Sequence, residues 1–215
     1  VIFADIAAFA AGDEAKRLLS LIDYIGGDYG NAVQGGKVVN ADEYQEMSEF
    51  AGRSAELFKQ LKAAEGGDKA GIEKDLQTLL AYIKGKSGEN DVPRLAQQIK
   101  DRLIKTYKIV PYPRKLPALA DGKKIYDDNC AQCHGAAGKG DGLGRESMKP
   151  KTPLPANFTD PERIGGLSPF KAFNTASFGI EGTAMASFAA LSDEQRWQVA
   201  FYVFTLRFSA DAAKA

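Results

Sequence analysis

The sequence predicts an all-α chain in two parts. An antiparallel helical bundle spans residues 1–110, and a second helical domain spans 121–215, with a proline-rich link over 111–120. Three observations carry this. Apolar residues recur at helical spacing through the first half and again near the end. Helix-start signals, Asn40 followed by Glu43 and Ser192 followed by Gln195, stand before two of those stretches. The segment Val110-Pro111-Tyr112-Pro113-Arg114-Lys115-Leu116-Pro117 holds three prolines, which remove backbone donors and bias the preceding residues away from helix.

The first helix is expected to carry Phe3, Ile6, Phe9 or Ala10, Leu18, Leu19, Ile22 and Ile25. It has a break near Gly12 and a stop at Gly26-Gly27 and Gly30. A second opens at the Asn40 N-cap, buries Tyr44, Met47, Phe50, Leu57, Phe58 and Leu61, and ends at Gly66-Gly67. A third starts at Asp68 with Ile72, Leu76, Leu79, Leu80 and Ile83 inward. A fourth starts at Asp91 with Pro93 just inside, and carries Leu95, Ile99, Leu103 and Ile104 or Tyr107. Short connections between four amphipathic helices predict an antiparallel bundle. In the second half, Asp121 is expected to cap a helix running through Ile125 and Tyr126 to Cys130-Ala131-Gln132-Cys133-His134. Ser192 opens the last helix, with Trp197, Ala200, Phe201, Phe204 and Phe208 on one face.

The formal net charge is zero, which gives no reason to expect nucleic acid or an anionic membrane surface as partner. No apolar run reaches the roughly 18 residues of a membrane span. No basic segment with a cleavage site opens the chain, which reads as a mature or trimmed form. The ligand inventory is more restrictive. Two cysteines and one histidine cannot supply a four-ligand Cys/His zinc site, and a bis-histidine haem would need a second chain.

Those three residues stand together as Cys130-x-x-Cys133-His134. Two thiols on one helical turn can add across the two vinyl groups of a haem, and the next residue then lies under the iron. This is the attachment pattern of a c-type haem. The competing readings are a redox dithiol, which lacks its usual βαβ setting here, and half a zinc ribbon, which lacks its second ligand pair. The glycine-rich run from Gly135 to Gly142 suits a backbone wrapping the edge of a flat group.

Through Gly122, Tyr126, Cys130, Cys133, His134, Gly182-Thr183-Ala184-Met185 and the helix with Trp197, the second half resembles class I cytochromes c. The resemblance implies one covalent haem c, His134 as proximal ligand and Met185 as the sixth ligand. Met148, in Ser147-Met148-Lys149-Pro150, and an open iron site are the alternatives, while Met47 reads as bundle core. It also implies that a carbonyl in Pro153-Leu154-Pro155-Ala156-Asn157-Phe158, with Pro155 as the choice, accepts the imidazole N–H. Adding Leu18 to Tyr29 and Gly36 to Met47, nearly the whole chain is similar to the extracytoplasmic region of bacterial cytochrome c and high-affinity iron permease fusion proteins. The permease part and its Arg-Glu iron motifs are absent from these residues.

That resemblance implies a periplasmic single-electron module that serves iron uptake, tethered to the inner membrane through a permease domain or working with another redox partner. It is not expected to be an autonomous enzyme. The alternatives are a haem enzyme or a gas or peroxide sensor with an open iron site, and a docking scaffold whose bundle binds no metal. Carboxylates on facing helices can hold iron, so Asp23, Asp28, Glu43 and Glu46 form a candidate labile iron site. A solvated acidic face is the plainer reading of the same residues. No histidine in this half supports a Glu-x-x-His di-iron pattern.

Overall fold

A computed structural model of the chain describes residues 2–62, 64, 66–149, 153–180 and 182–208, with the backbone alone given for residues 2–12, 162 and 163. The expected inward positions Phe3, Ile6, Phe9 and Ala10, together with Pro150 and the far end of the 121–215 segment, lie outside the described side chains. The chain divides into two compact units, 1–111 and 112–215.

The first unit is a four-helix bundle. Helix α1 spans Ile2–Ala32, α2 Ala41–Gln60, α3 Lys69–Lys84 and α4 Asp91–Tyr107. α1 packs on α2 and α4, and α3 packs on the same two, so the helices occupy four corners. The core between them holds Leu18, Leu19, Ile22, Ile25, Met47, Phe50, Phe58, Ile72, Leu76, Leu79, Ile83, Val92, Ile99 and Leu103. Burying each Leu, Ile or Phe contributes about 1.5–3 kcal/mol before entropy is counted.

α1 neither breaks at Gly12 nor stops at Gly26, Gly27 or Gly30. A Cβ at Gly26 would lie 3.0 Å from that of Ala96, so this glycine admits α4 instead of ending α1. The turn comes later. Strands β1 (Val33–Gln34) and β2 (Lys37–Val38) pair around Gly35 and Gly36, whose φ angles of +56° and +73° suit a two-residue hairpin. The Asn40 side chain accepts from the amides of Asp42 and Glu43, as the cap signal predicts. α2 ends at Gln60, before Gly66-Gly67, and Leu57 and Leu80 are only half-buried. On α4 the buried face is Val92, Ala96, Ile99 and Leu103, while Leu95 sits at its edge.

The second unit begins its helices inside the expected 111–120 link. α5 spans Leu119–Asn129, with Ala118 at the cap position. Asp121 therefore lies in the first turn and does not cap it; its carboxylate accepts from Gln198 Nε2 at 3.4 Å. The helices α6 (Ala131–His134), α7 (Pro161–Ile164), α8 (Pro169–Phe178) and α9 (Asp193–Thr205) follow. Gly122 lets α5 cross α9 directly over the Gln198 carbonyl and Tyr202. The capping box forms with both Ser192 and Gln195 engaged. α9 is covered on two sides, by Ile125 and Tyr126 against Val199 and Val203, and by Phe173 against Trp197 and Ala200. Its buried stripe is therefore broader than the aromatic positions alone suggest. Phe201 and Phe204 are half-buried, and Phe208 lies exposed beyond the helix end.

Candidate functional site

The site is built on the break between α5 and α6. Cys130 steps out of the helix at φ −116°, and the single turn Ala131–His134 follows. The amides of Cys133 and His134 both donate to the Cys130 carbonyl, at 3.1 and 2.9 Å. Both thiols and the imidazole thus leave one turn of backbone. Neither cysteine is in a disulfide. Burial, and then the neighbouring Cys133, push the Cys130 thiol up to about 11, so it stays protonated at neutral pH.

The chain after His134 folds back over this turn. Gly140 N–H donates to the His134 carbonyl at 2.8 Å, and Gly142 N–H to the Cys133 carbonyl at 3.2 Å. The Tyr126 side chain is fully buried and its hydroxyl donates to the Gly135 carbonyl at 2.7 Å. Burial holds that phenol well above its ordinary range, which keeps it a donor. Phe158 donates its amide to the Gly138 carbonyl at 2.6 Å and stacks its ring on His134, with centroids 4.7 Å apart.

His134 Nδ1 lies 3.2 Å from the carbonyl oxygen of Ala156. The acceptor is Ala156, not the expected Pro155. A carbonyl can only accept, so Nδ1 carries the proton and Nε2 keeps its lone pair. Burial lowers the imidazole pKa, and the Ala156 bond partly opposes this. A neutral imidazole with a fixed tautomer is the form that ligates a metal. With both thiols on the same turn, these residues fit a covalent haem.

Met185 is half-buried in a loop held at both ends. Its carbonyl accepts from Ile180 at 2.9 Å, and its amide donates to Thr183 Oγ1 at 3.1 Å. Further on, Phe188 N–H donates to Ala176 O at 2.8 Å and Ser187 Oγ to Ser177 O at 2.6 Å, which ties the loop to α8. Met148, just after the short 3-10 turn Leu143–Ser147, is also half-buried.

The bundle carboxylates do not assemble into one centre. Asp23 pairs with Lys100 of α4. Burial, then Glu43, Asp28 and Glu49 in that order, raise the Glu46 carboxyl pKa, so Glu43, Glu46 and Asp28 share an acidic neighbourhood. Asp28 and Glu43 have partners of their own. Among the described residues, no group of three His, Cys, Asp or Glu side chains is placed to hold a metal ion. The four-carboxylate site expected from the sequence is therefore corrected: the Asp23–Lys100 pair withdraws one of its members.

Comparison with known proteins matches each unit separately. Residues 10–110 match the iron permease-associated 4-helix bundle domain, and residues 119–207 match cytochrome c. The cytochrome c match implies covalent haem c, and Cys130 and Cys133 fit its attachment motif. The chain is 28% identical over 97 residues to a thiosulfate dehydrogenase of Thiomonas intermedia (strain K12), a match covering 45% of this chain and 29% of that protein. The chain thus spans under a third of that curated relative's length. A chain of the reducing HAO-like protein complex of Kuenenia stuttgartiensis is 29% identical, with 54% of this chain and 61% of that one covered, at a TM-score of 0.41.

Proposed function

Starting from a chain in which an iron permease-associated four-helix bundle domain precedes a cytochrome c domain, we propose that it is an extracytoplasmic single-electron module serving iron uptake. Ferrous iron is the proposed electron source, and an iron permease or another redox protein the proposed partner. The observation that carries the reading is His134. Its Nδ1 is committed to Ala156, its Nε2 is left as a ligand, and it follows directly on two thiols that one haem can join. A haem held between an imidazole and a thioether has a closed, six-coordinate iron that changes charge by one electron and favours a raised reduction potential. Met185 is the proposed thioether. Phe158 stacks on the imidazole, and Tyr126 ties down the Gly135 carbonyl directly after it.

Two domain types in one chain motivate the link to iron. Among the described residues no helix is long and apolar enough to cross a membrane, so the proposed tether or permease partner lies beyond these helices. In the bundle, Glu46, whose carboxyl pKa is raised by burial and then by the neighbouring Glu43, Asp28 and Glu49, is the proposed point at which ferrous iron engages this unit. The test is anaerobic mixing of the oxidised holoprotein with ferrous iron while the haem absorption is followed. Saturable reduction, slowed by Glu46→Ala, is expected. Normal reduction by dithionite with none by ferrous iron would reject iron as donor and leave a docking role for the bundle.

The likeness to a thiosulfate dehydrogenase motivates a second reading, a haem enzyme or sensor with an open iron site. Carbon monoxide separates the two. Under the electron-transfer reading, and with no autonomous enzyme activity, the reduced protein binds it poorly; fast, tight binding would favour the second reading.

A further inference from the structure

Helix α8 buries an unusual residue. Asn174 has 0% of its surface exposed, and both amide atoms, Nδ2 and Oδ1, are buried without a hydrogen-bond partner among the described residues. Nearby buried hydroxyls are satisfied, Ser177 donating to Phe173 O at 2.7 Å and Tyr126 to Gly135 O. The Nε atoms of Arg196 and Arg207 are also buried without a partner, but of these residues only Asn174 has its whole polar group orphaned. A wholly orphaned amide in a packed interior marks a missing partner.

The setting narrows what that partner is. The preceding residue, Phe173, stacks on Trp197 of α9 at 4.3 Å, which seats one side of α8 in the apolar core. At its C-terminal end the Ala176 and Ser177 carbonyls hold the loop that carries Met185. Lys171, itself engaged, puts a buried cation one turn before Asn174 on the same side of the helix. A haem brings two carboxylate arms into this domain, and an anion accepts from an amide more strongly than any neutral group does.

We propose that Asn174 is a positioning residue whose Nδ2 donates to a haem propionate carboxylate. This rests on the haem reading above and specifies which side chain receives the group's charged edge. Removing the donor leaves more negative charge beside the iron, which favours the ferric state and lowers the midpoint potential. Added positive charge at the same position does the reverse.

The experiment uses the haem-loaded full chain with Asn174→Leu, Asn174→Asp and Asn174→Lys. Haem stoichiometry is measured first, so that a wild-type protein without covalent haem rejects the haem reading and this inference together. In loaded protein, resonance Raman reads the propionate bending mode and a redox titration reads the midpoint. The expected result is a shifted propionate mode in Asn174→Leu, with midpoints falling in the Leu and Asp variants and rising in the Lys variant. If Asn174→Leu does not load haem, the shifted mode is read in the near-isosteric Asn174→Asp. An unchanged propionate mode overturns the inference and leaves the haem reading intact. So does a change confined to the absorption band of a methionine–iron bond, which would assign the amide to the thioether instead.

Discussion

At the scale of single residues, the site depends on backbone carbonyls that accept hydrogen bonds from fixed side chains. Tyr126 is the clearest case, a fully buried ring whose hydroxyl reaches the Gly135 carbonyl. Tyr126→Phe removes one donor and keeps the ring, leaving the Gly135 carbonyl with the Gly138 amide at 3.0 Å as its other donor. It should destabilise the holoprotein by about 0.5–1.5 kcal/mol, read by thermal unfolding followed at the haem absorption. The attachment residues were legible in the sequence because thiols and imidazole are rare here, and their spacing has few chemical uses. The imidazole's acceptor was not. Every residue carries a carbonyl, and whether Pro155 or Ala156 faces Nδ1 depends on loop curvature that no side chain announces. Asn174 was invisible for a related reason: nothing local distinguishes a buried amide from an exposed one.

At the scale of elements, signals written in side chains were read well and signals that depend on a neighbour were not. The Asn40 cap and the Ser192–Gln195 box were legible because each is a local hydrogen-bonding pattern. The length of α1 was not, since Gly26 reads as a stop until α4 is seen against it. Asn40→Ala should cost about 1 kcal/mol of bundle stability in chemical denaturation, the usual loss for a polar N-cap. Gly122→Ala should cost roughly 1–3 kcal/mol, because the new methyl meets the Gln198 carbonyl and the α5–α9 crossing must open. Glu46 gives a pH dependence. Its carboxyl is raised in the fold, so the folded state binds the proton more tightly than the unfolded chain. Its ionisation therefore costs stability progressively as pH rises from the unfolded carboxylate range through the folded pKa. Glu46→Gln should stabilise the protein at neutral pH, and the gain should vanish when unfolding is measured below the unfolded pKa.

At the scale of the molecule, each unit carries its own core and its own family match. The bundle closes on residues from all four helices. The cytochrome domain closes on α5, α8 and α9, with the motif turn, the Ala156 carbonyl and the Met185 loop all in the second unit. Haem binding and haem electronics should therefore survive removal of the bundle, whereas any dependence on ferrous iron should not. A fragment of residues 112–215, matured where haem can be attached, should show the visible spectrum of the intact protein and full reduction by dithionite. A fragment of residues 1–111 should retain a helical circular dichroism spectrum and a cooperative melt. Against ferrous iron, the haem fragment should lose the saturable phase expected of the whole chain, and mixing in the free bundle should restore it only weakly, because the covalent link supplies a high effective concentration. A haem fragment that reduces with ferrous iron as fast as the intact chain would separate the two functions, giving the cytochrome its electron directly and leaving the bundle to dock a partner.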